Sequence, residues 1–248
     1  MEAILDQHRM TVLVGNGEEG NMLAILPAYH YDDTLDNRSE FTKQCWIPAK
    51  PETNFCIRYC WNGAASTALK KKAGLFCTLY IDELIVERAY LPLKGINKTG
   101  KNREWEISGK YYRGPDGPVE RPFTFTETPI DDDADVLDTS KRGTIRVVLH
   151  WATPDPDVEH SRDLSKEAAD TLALELETAV SSDNYRFQAC VGLGVPEPSG
   201  VKENNMKVRP IDNKKYTFIF HYAHPDWLVN EGIIPPMVLS NFRTQANT

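Results

Sequence analysis

Short apolar stretches rich in Val, Ile, Tyr, Phe and Thr recur along the chain, each closed off by Gly, Pro, Asn or Asp. Runs of about four to eight such residues are the signature of strands rather than helices. They predict strands over 10–14, 21–26, 41–47, 54–61, 75–81, 84–91, 105–112, 121–126, 144–151, 185–193 and 216–222. Within 54–61, Phe55, Ile57, Tyr59 and Trp61 alternate with Asn54, Cys56, Arg58 and Cys60, so one face is apolar and aromatic. In 216–222, Tyr216, Phe218, Phe220 and Tyr222 make one face wholly aromatic, with Thr217, Ile219 and His221 on the other. A period of two puts successive side chains on opposite sheet faces, and a wholly aromatic face belongs in a core.

One segment departs from this rhythm. From Leu164, apolar residues recur at Ala168, Leu172, Leu176 and Val180, with Ala169, Ala173 and Ala179 beside them. This is the helical period, and Asp163 and Ser165 are candidate caps. It predicts an amphipathic helix near 164–180, inside a helical insertion over 153–182, with its stripe packed on one sheet or on one end of the sandwich. A short C-terminal helix is expected where Pro225 opens 225–230 and Gly232 follows its end. Segments 196–209 and 237–248 read as flexible.

Turn chemistry supplies the connections. Asp82-Glu83 is placed to turn a hairpin between 75–81 and 84–91, and Gly114-Pro115-Asp116-Gly117-Pro118 breaks the chain before Arg121. Many short strands joined by turns predict a mostly β protein: an antiparallel β-sandwich, jelly-roll or immunoglobulin-like, formed as one domain over 1–248.

Residues 15–20 read Gly-Asn-Gly-Glu-Glu-Gly after an apolar run, matching the G-x-G-x-x-G of a dinucleotide-binding turn. That turn must open a helix within a strand-helix-strand unit. Here Pro27 would fall inside the helix, where it removes a hydrogen bond and clashes with the turn before it. Asn16-Gly17 is instead a favoured tight-turn dipeptide, predicting a hairpin between 10–15 and 21–26 with no cofactor.

Length, composition and charge narrow the function classes. The 248 residues carry a net charge of −8. Nucleic acids and anionic membrane surfaces reward a basic face, so neither is expected as a partner. The compact basic run Lys70-Lys71-Lys72 reads as a solvated loop. Five cysteines, Cys45, Cys56, Cys60, Cys77 and Cys190, include no C-x-x-C pair, and buried free thiols are expected. The first residues carry acids and no apolar core of a signal peptide, and no apolar run approaches the ~20 residues of a membrane helix. The sequons at Asn37 and Asn97 are then read as coincidental. The expected setting is intracellular, cytoplasmic or nuclear.

Several segments occur together in an order that resembles a known family. They are Thr42-Lys43-Gln44-Cys45-Trp46-Ile47-Pro48 with Phe55 after it, Leu79-Tyr80-Ile81-Asp82, and Arg121-Pro122-Phe123-Thr124-Phe125. Gly143-Thr144-Ile145, Phe218-Ile219-Phe220-His221-Tyr222 and Asn230-Glu231-Gly232-Ile233-Ile234-Pro235 follow. The pattern resembles a domain-of-unknown-function family abundant in mushroom-forming (basidiomycete) fungi, over about residues 10–236. The resemblance implies that the Asn16-Gly17-Glu18-Glu19 region is the tip of the first hairpin. It implies no activity, cofactor or site residue. One departure is Glu83, where that family has glycine, so the turn is expected to relax away from type I′.

Candidate chemistry is sparse. Asp131, Asp133 and Asp135 open like a calcium loop, but Val136 and Arg142 stand where its glycine and glutamate belong, and no metal is expected there. His221, His224 and Asp226 are the densest group of possible ligands or acid-base residues; His221 and His224 converge only if the strand ends between them. His150-Trp151 and His30-Tyr31-Asp32-Asp33 have no spaced partner, and no nucleophile elbow or H-E-x-x-H helix is present. The leading expectation is a non-catalytic protein-interaction or scaffold domain with no cofactor. The alternatives are a carbohydrate or small-molecule binding sandwich using Trp46, Trp105 or Trp151, and an enzyme built around His221, His224 and Asp226.

Overall fold

The computed structural model describes residues 1–5, 8–16, 24–34, 40–61, 73–92, 103–128, 142–155, 166–176, 189–200 and 207–236. They form a β-sandwich of two sheets with two short helices.

The first sheet contains β1 (Glu2–Leu5), β2 (His8–Asn16), β6 (Thr53–Trp61), β11 (Gly117–Glu127) and β10 (Gly109–Gly114) in that order. Beside them, β3 (Ala24–Ile25) pairs with β2, β9 (Arg103–Ile107) with β6, and β13 (Ala189–Leu193) and β14 (Glu197–Pro198) with β11. The second sheet runs β4 (Tyr29–Thr34), β5 (Glu40–Pro48), β16 (Lys215–Ala223), β12 (Thr144–Pro154), β7 (Gly74–Ile81) and β8 (Leu84–Pro92), with β15 (Val208–Pro210) on β12.

The expected alternation places the core. Phe55, Ile57, Tyr59 and Trp61 of β6 face inward, as do Tyr216, Phe218, Phe220 and Tyr222 of β16. Rings meet across the sandwich: Trp61 lies edge-on to Trp151 at 5.1 Å, and Phe125 meets Tyr222 at 5.6 Å. Burying each such ring stabilises the fold by about 1.5–3 kcal/mol relative to leaving it in water.

Where the structure departs from expectation, pairing between distant segments is the cause. β5 and β16 run parallel, Trp46 opposite His221, whereas antiparallel pairing was expected throughout. The span 105–112 is two strands: β9 follows β6, and after Ser108 the chain switches to β11 as β10. Gly109 permits the switch, because a Cβ there would lie 2.3 Å from the Arg121 carbonyl oxygen. Of 196–209, residues 197–198 and 208–209 take part in β14 and β15, while 201–206 lie outside the described residues. Segment 237–248 also lies outside them, as do Lys70–72, both sequons and Asp131, Asp133 and Asp135.

The first hairpin exists but turns later than Asn16-Gly17. Asn16 is still in β2, opposite Ala24, and Gly15 faces Ile25, so that dipeptide cannot be the centre of a two-residue turn. Antiparallel pairing of β2 with β3 also rules out the strand-helix-strand context of a dinucleotide loop. At the β7–β8 turn, Asp82 and Glu83 keep φ values of 49° and 65°, the pair of positive angles of a type I′ turn. The expected relaxation therefore does not occur, and the reason is local: the Arg146 guanidinium grips both Glu83 carboxylate oxygens while lying 3.8 Å from the Tyr80 ring centroid.

Helix α1 (Lys166–Leu176) buries Ala169, Leu172, Ala173 and Leu176 against β10 and β13, and Arg121 reaches its Asp170 at 3.2 Å. The stripe thus packs on the first sheet. Helix α2 (Pro225–Asn230) follows β16 directly. No helix among the described residues is long and apolar enough to cross a membrane.

The two lateral sides of the sandwich differ. On one, β8 carries a bulge at Val86, and Lys110 of β10 donates to the Val86 carbonyl at 3.2 Å, tying the sheets together. On the other, β3 is two residues long and β4 shifts register between Tyr29 and Asp32, with His30 at φ 48°.

Candidate functional site

β16 ends at Ala223, so His221 and His224 are separated by the strand end that their convergence required. They nevertheless do different work. His224 caps α2: its Nδ1 accepts the Asp226 N–H at 3.3 Å, the first-turn carboxylate of Asp226 lies 3.9 Å away, and Pro225 opens the helix. A side chain accepting from the first turn satisfies one of the helix's orphan N–H groups.

His221 faces outward from the second sheet, and its Nε2–H donates to Gln44 Oε1 at 3.1 Å. Its ring lies 4.9 Å from Trp46, its neighbour across the parallel pair, and Trp46 in turn lies 5.4 Å from Trp227 of α2. The three rings are tilted by 32° and 38°, within the geometry that aromatic pairs prefer.

This cluster rests on a small core of its own. Ala223, Leu228 and Ile234 are buried beneath it, with Tyr29, Trp46, Trp227, Val229 and Ile233 half-buried around them. It presents indole and imidazole faces, one carboxamide at the edge, and a capped helix start. Among the described residues, no group of three or more His, Cys, Asp or Glu side chains is placed to hold a metal ion.

The other tryptophans do not extend the cluster into a row. Trp105 is on β9 of the opposite sheet and 37% exposed, and Trp151 is buried facing Trp61. His150 is half-buried against Phe76 at 5.1 Å, and burial followed by the nearby Lys215 charge holds its pKa down. The five thiols are free and buried. Burial pushes Cys45 and Cys56 up to about 12, so neither supplies a thiolate nucleophile at neutral pH.

A second polar group stands out at the β7–β8 turn. Asp82 accepts the Thr144 N–H at 2.9 Å and the Tyr222 hydroxyl at 2.7 Å. The residue as a whole is half-buried because its backbone stands at the hairpin tip, but its carboxyl is withdrawn from water against buried Tyr222. Burial raises its pKa to about 6, although both hydrogen bonds act the other way. Both oxygens are engaged within the fold, which makes Asp82 a clamp between the hairpin tip, β12 and β16.

Sequence reasoning missed Trp227 and Gln44. Both join the site through pairings of distant segments, β5 with β16 and β5 with α2, that local spacing does not record.

Comparison with curated proteins and with solved structures gives no match. A family model for a domain of unknown function, DUF7918, matches residues 24–237, beginning at β3 rather than near residue 10. The match spans well over half of the chain and every element of the aromatic cluster, so the chain belongs to the DUF7918 family.

Proposed function

We propose that this protein is a non-catalytic protein-interaction module acting inside the cell, with the Trp46–His221–Trp227 surface as its contact. The observation that carries this reading is the outward stack of three rings above a separate small core. Tryptophan is the residue most enriched where interfaces concentrate their binding energy, since it buries large area at low entropic cost. A free-thiol complement of five fits a reducing compartment. An exposed row of tryptophans along one sheet face would favour the carbohydrate alternative, and Trp46, Trp105 and Trp151 are instead divided between the two sheets and the core.

The test is affinity capture from an extract of a mushroom-forming fungus, the setting that the resemblance suggests. Wild-type protein is compared with Trp46→Ala and Trp227→Ala, each first checked for folding by circular dichroism. A discrete partner recovered at least ~10-fold less with both variants supports the reading, since removing a hot spot of 2 kcal/mol or more weakens binding by about that factor. Equal recovery with all three proteins overturns it. Saturable binding on a glycan array, lost in Trp46→Ala, would replace it with the carbohydrate reading.

A further inference from the structure

The lateral side of the sandwich that Lys110 does not close contains a cavity of about 260 Å³. It lies between the sheets where β3 hands the chain over to β4. Val14 and Phe220, one from each sheet, form opposing walls, and Leu26 and Ala28 complete the interior. Met1 also lines the cavity, with its ammonium donating to the Val12 carbonyl, and of the lining side chains among the described residues only Tyr31 carries a strong hydrogen-bonding group. Tyr31 is 60% exposed and Ile25 56%, so both stand at the rim.

Three features of the chain create this opening. Among the described residues, two-residue β3 leaves the gap uncovered, and β4 shifts register against β5 between Tyr29 and Asp32, with His30 at positive φ. The short side chain of Ala28 leaves room beside Phe220. The cavity opens to solvent at its rim, with backbone polar groups among its lining and apolar side chains on its walls; an enclosed apolar cavity of about 150 Å³ is enough to take benzene. Ligand sites are mostly apolar with a few polar groups that fix orientation, which is the division seen here between the interior and Tyr31.

We infer that this cavity binds one small, uncharged, mainly hydrocarbon molecule of about ten carbon atoms, with a single polar group directed to Tyr31 at the rim. The site goes beyond the protein-interaction reading and shares no residue with the Trp46–His221–Trp227 surface. Its occupant is recognised by shape and apolar area, with the Tyr31 hydroxyl setting which end enters last.

The test uses 1-aminonaphthalene, a neutral ten-carbon probe whose fluorescence responds to apolar surroundings, titrated into the full chain. The expected result is saturable binding of one probe per chain, displaced by 1-decanol. Ala28→Phe, which fills the chamber, should weaken binding at least ~10-fold, as loss of most of the buried apolar area requires. Tyr31→Ser, an exposed rim substitution that does not threaten folding, should weaken displacement by 1-decanol severalfold and decides the matter if Ala28→Phe does not fold. Ile85→Ser, exposed on strand β8, should change nothing. Unsaturable emission, more than one probe per chain, unchanged probe binding in a folded Ala28→Phe, or unchanged 1-decanol displacement in Tyr31→Ser would overturn the inference.

Discussion

At the scale of single residues, the β7–β8 turn joins two side chains with opposite physical problems. Asp82 holds a carboxyl away from water, and Glu83 holds a left-handed backbone. The folded pKa of Asp82, about 6, exceeds its ordinary value of 3.8. The folded chain therefore keeps this proton to higher pH than the unfolded chain does. The resulting stability is fully present well below pH 4 and is lost as pH rises through 6, a total change of about 3 kcal/mol. In Asp82→Asn the amide oxygen still accepts from Thr144 N–H and the amide donates to Tyr222. Urea denaturation should show wild type losing about 2 kcal/mol more than the variant between pH 4 and pH 8. At Glu83 the strain costs about 1 kcal/mol and the exposed Arg146 pair returns about 0.2–1 kcal/mol. Glu83→Gly should thus be nearly neutral, and Glu83→Ala should lose about 1 kcal/mol, because it keeps the strain and drops the pair. The turn itself was legible from Asp82-Glu83 between two apolar runs. Its partner Tyr222, 140 positions away, was not.

At the scale of elements, β8 shows how this fold manages an edge. A bulge at Val86 interrupts its ladder, Glu87 points inward opposite Leu79, and Lys110 occupies the Val86 carbonyl. Bulges and inward-pointing charges both discourage pairing with another chain. Glu87 is only 4% exposed, and its Oε1 accepts the Arg88 N–H at 2.8 Å. Lys110→Met should cost about 1.5–3 kcal/mol in urea midpoint analysis, the net worth of a hydrogen bond from a charged donor. It should also produce concentration-dependent light scattering, because the freed edge can pair. An unchanged scattering profile would assign edge protection to the bulge and Glu87 alone. Strand existence was readable here from a short apolar run after a turn, whereas the bulge was not, since 84–91 shows the same run with or without it.

At the scale of the molecule, the sandwich has a large core between its sheets and a second, separate core under the aromatic cluster. Leu228→Ala in the smaller core should cost about 2–4 kcal/mol locally, as buried Leu truncations do. Separate cores open separately. Hydrogen exchange should therefore accelerate across α2 while β12 and β7 keep their protection; uniform acceleration would show that the two cores unfold as one. This division also explains what the chain disclosed in advance. The inward rows of β6 and β16 could be read directly, because alternation is local. The aromatic cluster could not, because Trp46, His221 and Trp227 meet only after β5 and β16 have paired.

That parallel pair has a consequence for the order in which the protein can be completed. β16 sits between β5 and β12, yet it is nearly the last strand to be synthesised. Until residues 215–223 leave the ribosome, the second sheet exists as two unjoined pieces, β4 with β5 and β12 with β7 and β8. The inner surfaces of both wait for the same row of aromatic residues. A nascent chain stalled before Lys215 should therefore be held by chaperones, and release should coincide with the arrival of that one strand.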